Sequence, residues 1–97
     1  MITIKNNELI NKIEKIMGNV PVTLIYNTKA RSFFGYCCTS GHVFNTFHVS
    51  IKGNICEISN ELIEDKKRRE FFSWFNSYGG NEMFFKEAQK HISNVDI

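Results

Sequence analysis

Adjacent cysteines and two histidines fall within one short segment, "FFGYCCTSGHVFNTFH" (33–48). The residues that could do chemistry are Cys37, Cys38, His42 and His48. Thiolates and imidazoles are ligands that zinc prefers, and a cysteine beside a histidine can form a nucleophile–base pair. The segment therefore raises two hypotheses, a metal centre and a thiol enzyme. Both depend on where a β-hairpin would place these side chains.

A tight turn at Ser40-Gly41 is predicted between two strands, because both flanking segments are rich in β-branched and aromatic residues. Side chains alternate along a strand, so Cys37 and Cys38 are expected on opposite faces of the sheet. His42 and His48 are expected on one face but about 20 Å apart, at a rise of ~3.3 Å per residue. Zinc ligands must lie within about 2.3 Å of one ion. The sequence therefore predicts no metal site here, and it implies no cofactor.

A second two-residue turn, Gly53-Asn54, completes the predicted register of the sheet. The predicted pairs are Cys38–Val43, Cys37–Phe44, Phe34–Phe47 and Phe33–His48 across the first turn, and Ile51–Cys56 and Val49–Ile58 across the second. The predicted core side carries Phe34, Tyr36, Cys38, Val43, Phe47, Val49, Ile51, Cys56 and Ile58. The predicted outer side carries Phe33, Gly35, Cys37, His42, Phe44, Thr46, His48, Ser50 and Ile55.

Hydrophobic periodicity and capping residues predict the other elements. Leu9, Ile13 and Met17 share one helical face, and Gly18 and Pro21 end that helix. The predicted elements are a helix over about 7–17, strands over 22–27, 32–39, 42–51 and 55–59, and two C-terminal helices separated by Gly79-Gly80, with Asn81 capping the second. This order predicts an α+β fold in which an antiparallel four-stranded meander carries one N-terminal and two C-terminal helices. We expect one compact domain over residues 1–97.

Composition excludes several classes of protein. The 97 residues are 42% hydrophobic and 23% charged, as in an ordinary globular domain. No apolar run approaches the ~20 residues that cross a bilayer, and the N-terminal segment lacks the layout of a signal peptide. Three cysteines, an odd number, fit a reducing compartment better than a disulfide framework. We therefore expect a cytoplasmic protein without membrane association.

The predicted outer side is unusually apolar for a solvated sheet surface, which ordinarily alternates with polar and often charged residues. Phe33, Cys37 and Phe44 lie on it, and only four side chains between residues 21 and 60 are charged. Either a helix covers this side in a three-layer domain, or the side is exposed as a docking surface. A thiol enzyme using Cys37 and His42 is disfavoured, because no acidic residue that would orient the histidine lies there.

We therefore expect a non-enzymatic protein that inhibits or neutralises a larger protein by occupying its functional surface. The expected partner-binding residues are Phe33, His42, Phe44, His48 and Arg31. Eleven Asn, twelve Ile and nine Lys suggest an AT-rich gene of the kind found in phages and mobile elements. Small proteins of that origin include toxin-immunity proteins and anti-CRISPR proteins. The expected partner is accordingly a toxin or a defence effector.

A nucleic-acid-binding regulator is the alternative function. It would use Lys29 and the basic segment formed by Lys66, Lys67, Arg68 and Arg69. Consecutive residues point ~100° apart around a helix, so these four cations would circle the axis instead of forming one stripe. The net charge of +2 also gives no strong attraction to nucleic acid or membrane.

The sequence leaves the oligomeric state open. The outer strands of an antiparallel meander expose unpaired backbone N–H and C=O groups. A homodimer would form through the edge of strand 22–27 or strand 55–59.

Overall fold

The computed structural model describes residues 1–39, 42–52, 55–59 and 65–92, with the backbone alone for 38, 39, 42–45, 55, 59, 65 and 92. The elements in chain order are β1 (Ile2–Thr3), α1 (Asn7–Ile16), β2 (Val22–Asn27), β3 (Ser32–Thr39), β4 (His42–Lys52), β5 (Ile55–Ser59), α2 (Asp65–Ser77) and α3 (Gly80–Ile92). This order confirms the predicted α+β fold. The structure has one strand, β1, more than the sequence analysis predicted.

The strands form one sheet in the order β1-β2-β3-β4-β5, and all neighbouring strands are antiparallel. The additional strand β1 lies beside β2, where Ile2 pairs with Tyr26 and Thr3 pairs with Ile25. Helix α1 connects β1 to β2, and β2 to β5 follow as a meander. The predicted bounds of β2, β3 and β5 are confirmed, and β4 runs one residue further than predicted.

The three helices pack on one face of the sheet, here called the inner face, and share one hydrophobic core with it. Aromatic rings form the centre of this core. The ring of Phe47 lies 4.8 Å from that of Phe71 in α2, and the ring of Phe33 lies 5.1 Å from that of Phe84 in α3. Much of the high phenylalanine content is therefore used to join the sheet to its helices.

Helix α1 has a side-chain cap at each end. The Asn6 side chain accepts a hydrogen bond of 3.2 Å from the backbone N–H of Leu9, as expected of an N-cap. At the other end, Gly18 adopts a positive φ of 92°. The ammonium group of Lys67 donates a hydrogen bond of 2.8 Å to the carbonyl oxygen of Met17. Lys67 therefore ties the end of α1 to α2.

A β-bulge divides the β3–β4 pair into two registers. Near the connection between the strands, Cys38 pairs with Val43, as predicted. At the next position along β3, Cys37 pairs with Asn45. Strand β4 therefore contributes one residue, Phe44, that has no partner on β3. The predicted pairing is wrong by one residue along the remainder of β3.

The bulge reverses the two faces of β3 relative to the prediction. Phe33 and Cys37, which we predicted on the outer side, are completely buried on the inner face. Phe34 and Tyr36, which we predicted in the core, lie on the opposite face. The reason is that a shift of one residue in register moves every side chain to the other side of the sheet. The observed pairs Cys37–Asn45, Phe34–His48 and Phe33–Val49 replace the predicted Cys37–Phe44, Phe34–Phe47 and Phe33–His48.

The β4–β5 pair keeps the predicted register. Ile51 pairs with Cys56, and Val49 pairs with Ile58. The two predicted turns themselves lie outside the described residues. Asn81, which we predicted to cap α3, is instead inside that helix, because α3 begins at Gly80.

Candidate interaction surface on the open face of the sheet

The face of the sheet opposite the helices is here called the open face, because none of the three described helices packs on it. The side chains that it presents on β2, β3 and β4 include Thr23, Ile25, Ser32, Phe34, Tyr36, Thr46, His48 and Ser50. The register aligns them in rows across β2, β3 and β4. The sequence allowed either a helix over this face or an exposed face. In the described part of the chain, the face is not covered by a helix.

The central row of the open face is apolar and aromatic. Ile25, Phe34 and His48 lie side by side on three neighbouring strands. The ring of Phe34 lies 4.9 Å from the ring of His48 and 5.6 Å from that of Tyr36. Phe34 and Tyr36 are half-buried, and His48 is exposed. These rings pack on one another and still present area to solvent, as expected of residues that contact a partner.

A depression of about 410 Å³ lies alongside this row. The residues that line it are Met1, Ile25, Asn27, Ser32, Phe34 and His48. Its walls combine apolar side chains with a few polar groups, which is the usual composition of a site that accepts one anchoring side chain.

Charge lies at the margin of the open face and is balanced there. Lys52 and Glu57, on the neighbouring strands β4 and β5, form an ion pair of 2.9 Å. Both side chains are largely exposed, so the pair contributes little to stability. The rows through Ile25 and Tyr36 contain no charged side chain among the described residues.

The structure places the predicted partner-binding residues in different locations. His48 lies on the open face, whereas Phe33 is buried in the core and is not available to a partner. Arg31 lies in the turn between β2 and β3 and is half-buried. The backbones of His42 and Phe44 belong to β4, but their side chains lie outside the described part of the structure.

Phe34 and Tyr36 are the aromatic residues that the sequence analysis missed on this surface. They were predicted in the core because the bulge in β4 was not predicted. Gly35 is the sequence feature that could have corrected the predicted faces of β3, since glycine inside a strand often marks a close approach by another group. A methyl group on Gly35 would lie only 2.1 Å from the Phe47 ring, so Gly35 must face the core and its two neighbours must face outward.

The Cys37 thiol is a poor nucleophile in this environment. It is completely buried, and this burial raises its pKa above the ordinary cysteine value, although Lys67 acts in the opposite direction. The reactive form of cysteine is the thiolate, which a raised pKa disfavours at neutral pH. No group of three or more His, Cys, Asp or Glu side chains that could hold a metal ion occurs among the described residues.

The basic segment of the alternative hypothesis does not form one cationic surface. The ammonium group of Lys67 is bound to the carbonyl oxygen of Met17, and Arg68 is half-buried. Lys66 and Arg69 are exposed. A patch that binds phosphates should place its cations together and free to reach the backbone of the nucleic acid. Lys67 instead has a structural role, because it connects α2 to the end of α1.

A buried carboxylate joins α3 to α1, and the sequence analysis did not predict it. Glu87, 5% exposed, accepts hydrogen bonds from Asn6 Nδ2 (2.9 Å) and Lys90 Nζ (3.2 Å), and its other oxygen lies 3.1 Å from His91 Nε2. Burial raises the pKa of Glu87, but the hydrogen bonds from Asn6, His91 and Lys90 outweigh it, so that the pKa lies below the ordinary glutamate value. The i, i+4 spacing of Glu87 and His91 is the sequence feature from which their contact could have been predicted.

Comparison with known proteins returns no significant match to any protein family, curated protein or solved structure. Within the described residues, no helix combines the length and apolar character needed to cross a bilayer. The function must therefore be inferred from the chain's own geometry.

Proposed function

We propose that this protein is a non-enzymatic inhibitor or neutraliser, which binds a larger protein through the open face and covers that protein's functional surface. The observation that carries the proposal is the row of Ile25, Phe34 and His48, with Tyr36 beside it, on a sheet face that none of the described helices covers. An exposed aromatic cluster with a polar margin is typical of protein–protein interfaces.

A protein partner is favoured over nucleic acid because of the distribution of charge. The described residues of the open face form a neutral centre with one balanced ion pair, Lys52–Glu57, at its margin. Nucleic-acid surfaces instead concentrate lysine and arginine, because neutralising phosphates supplies much of the affinity. Hydroxyl groups of Thr23, Thr46 and Ser50 surround the rings and can form hydrogen bonds with a partner's polar groups.

Inhibition by occlusion is the mode of action that a small domain with one apolar face supports. The domain would supply rigid aromatic anchors on a sheet, and the depression beside Phe34 would receive one side chain of the partner. Toxin–immunity pairs and phage anti-defence proteins such as anti-CRISPR proteins act in this way, and a toxin or defence effector is the partner class we propose.

The first prediction tests this surface with the double variant Phe34→Ala, Tyr36→Ala. The partner would first be isolated from the native host with the wild-type protein and then purified. We expect the double variant to bind the purified partner at least about tenfold more weakly, since buried aromatic anchors each contribute more than 1.4 kcal/mol. We also expect the partner's activity, inhibited by the wild type, to recover with the variant. Calorimetry and an activity assay measure the two effects.

Tyr78→Ala is the matched control, because Tyr78 is an aromatic residue that is 75% exposed at the end of α2. It should bind the partner like the wild type. Equal affinity of the double variant and the wild type would contradict the proposed surface. Binding of DNA or RNA that weakens steeply with salt would instead support the nucleic-acid-binding regulator.

A further inference from the structure

The depression on the open face lies between two rows of the sheet that differ in chemistry. Ile25, Phe34 and His48 line it from the central row. Asn27 and Ser32, which pair with one another across β2 and β3, line it from the next row. One wall is therefore apolar and aromatic, and the other is polar. A side chain that fits both walls needs an apolar body and a polar tip.

The apolar wall is suited to an aromatic ring. The rings of Phe34 and His48 lie 4.9 Å apart and are tilted by 45°, and Phe34 is half-buried while His48 is exposed. Both rings can therefore contact a third ring, and such contacts stabilise by more than the buried area alone. The volume of about 410 Å³ is at the lower end of the range of ligand sites in proteins (~300–1,000 Å³), so there is room for one large side chain.

Asn27 keeps a hydrogen-bond donor available. Its Oδ1 accepts hydrogen bonds from the backbone N–H groups of Lys29 (3.0 Å) and Ala30 (3.1 Å), which closes the turn after β2 and fixes the amide group. The Nδ2 group forms no hydrogen bond within the described residues, and neither does the hydroxyl group of Ser32. Both side chains are half-buried. An amide NH2 group donates only, whereas a hydroxyl group can donate and accept.

These polar groups discriminate between occupants of the depression. A docked side chain displaces water from Asn27 and Ser32, and a leucine or phenylalanine would leave both groups unpaired at a cost. A tyrosine hydroxyl group can accept from the Asn27 amide and donate to the Ser32 oxygen at once, whereas a tryptophan N–H can only donate. A carboxylate matches less well, because no lysine or arginine is among the described residues that line the depression.

We propose that the depression is a subsite for a tyrosine side chain of the partner. The ring would pack on Phe34 and His48, and its hydroxyl group would form hydrogen bonds with Asn27 and Ser32. Tyrosine is enriched at the centres of protein–protein interfaces because it combines a large apolar area with a polar tip. This inference rests on the proposed function, since it names the group of the partner that the open face receives.

The test, our second prediction, is a nuclear magnetic resonance titration of the full chain with N-acetyltyrosinamide and, separately, with N-acetylphenylalaninamide. The two amides differ by the hydroxyl group alone. We expect saturable shifts of the Asn27 side-chain NH2 group and of the backbone amides of Ser32 and Phe34, with a Kd on the order of 1 mM for so small a ligand. The tyrosine amide should bind about three- to tenfold more tightly, which corresponds to the net contribution of a hydrogen bond. Equal affinity for the two amides, or no saturable shift of these groups, would overturn the subsite.

Ser32→Ala tests the polar contact. It should weaken binding of the tyrosine amide by about threefold or more and change binding of the phenylalanine amide by less than about twofold. A general disturbance of the surface would weaken both amides alike. Thr23→Val is the matched control, because it removes a hydroxyl group from the same face in the row beyond Phe34 and should keep the preference for tyrosine. An unchanged preference in Ser32→Ala would refute the proposed position of the tyrosine hydroxyl group.

The subsite and the proposed function fail in different ways. If the Phe34→Ala, Tyr36→Ala variant loses the partner but the wild type does not prefer the tyrosine amide, the open face binds the partner and the subsite is wrong. If the wild type prefers the tyrosine amide but the double variant binds the partner normally, the tyrosine contacts are correct and the proposed function of the open face is wrong.

Discussion

At the scale of single residues, Gly35 and Phe47 show how a glycine in one strand makes room for an aromatic ring of the next strand. They face one another across β3 and β4, and the Phe47 ring occupies the space that a side chain at position 35 would need. The ring continues into the helical layer, where it contacts Phe71. The absence of a side chain at Gly35 therefore allows the aromatic core to lie directly on the sheet.

The third prediction is that Gly35→Ala destabilises the fold by about 1–3 kcal/mol, the usual cost of overpacking a filled core. The added methyl group would lie within 2.1 Å of the Phe47 ring, so the ring must move. Urea unfolding monitored by circular dichroism measures the change in the free energy of unfolding. Ser32→Ala, on the open face of the same strand, should change stability by less than about 0.5 kcal/mol. Equal stabilities of the two variants would show that the Phe47 ring adapts without cost.

Glu87 is the charged residue that is buried in the described part of the chain. Its charge is held between Lys90 and His91 on its own helix and Asn6 at the start of α1. Because its pKa is lower in the folded protein than in the unfolded chain, folding favours the carboxylate. This contribution to stability is fully present above the ordinary glutamate pKa of 4.5 and is lost as pH falls through the lower pKa of the folded protein.

The fourth prediction follows from the lowered pKa of Glu87 in the folded protein. At pH 7, Glu87→Gln should lower the melting temperature, because the amide keeps the shape of the side chain but loses the charge that pairs with Lys90. The difference from the wild type should shrink as pH is lowered below about 4.5, where the wild-type carboxylate is progressively protonated. Glu82→Gln, which alters an exposed ion pair with Lys86, is the control and should have little effect. A constant difference between pH 7 and pH 3 would contradict this account.

The bounds of the elements could be predicted because local signals determine them. Alternation and turn residues gave β2, β3 and β5, and caps gave α1. The register of β3 could not be predicted in the same way. In "FFGYCC", the residues at odd and at even positions are both apolar, so either side of the strand could face the core. The choice between the two sides is made by packing against α2 and α3, where Phe33 and Phe47 meet rings of the helices. Phe34 and Tyr36 were missed as members of the candidate surface for this reason.

Backbone groups at both edges of the described sheet, beside β2 and beside β5, are partly occupied by other groups. On the β2 side, Val22 N–H donates a hydrogen bond of 2.9 Å to the Glu14 carboxylate, and β1 covers the next residues. On the β5 side, the Asn81 amide donates a hydrogen bond of 3.2 Å to the carbonyl oxygen of Cys56. These contacts occupy backbone groups that a second copy would need for edge-to-edge pairing.

The fifth prediction concerns this closure of β5. Asn81→Ala would leave the Cys56 carbonyl oxygen without its donor at a buried position. We expect a loss of about 1 kcal/mol in unfolding free energy and the onset of concentration-dependent self-association. Chemical denaturation and sedimentation velocity measure these effects. Asn76→Ala, at an exposed position of α2, is the control. If both variants remained monomeric and equally stable, Asn81 would have no part in protecting the edge.

At the scale of the whole molecule, the fold is a two-layer arrangement with all three helices on one side of five strands. The side that faces the helices was predicted correctly for β4 and β5, where Phe47, Val49 and Cys56 are buried, but wrongly for β3, because both sides of β3 are apolar. The aromatic residues are consequently divided between two tasks. Phe33, Phe47, Phe71 and Phe84 build the core, and Phe34 and Tyr36 remain on the open face.

The bulge at Phe44 also determines which changes in length this chain can tolerate. Deleting that single residue would leave an unbroken ladder in which the pairs from Cys37–Asn45 to Phe33–Val49 are kept, so β3 would keep its inner and outer faces. Loss of the bulge with every residue of β4 retained would instead shift the register by one residue and bring Phe33 and Cys37 to solvent. The bulge conformation, and not the number of residues in β4, therefore decides which side chains of β3 a partner meets.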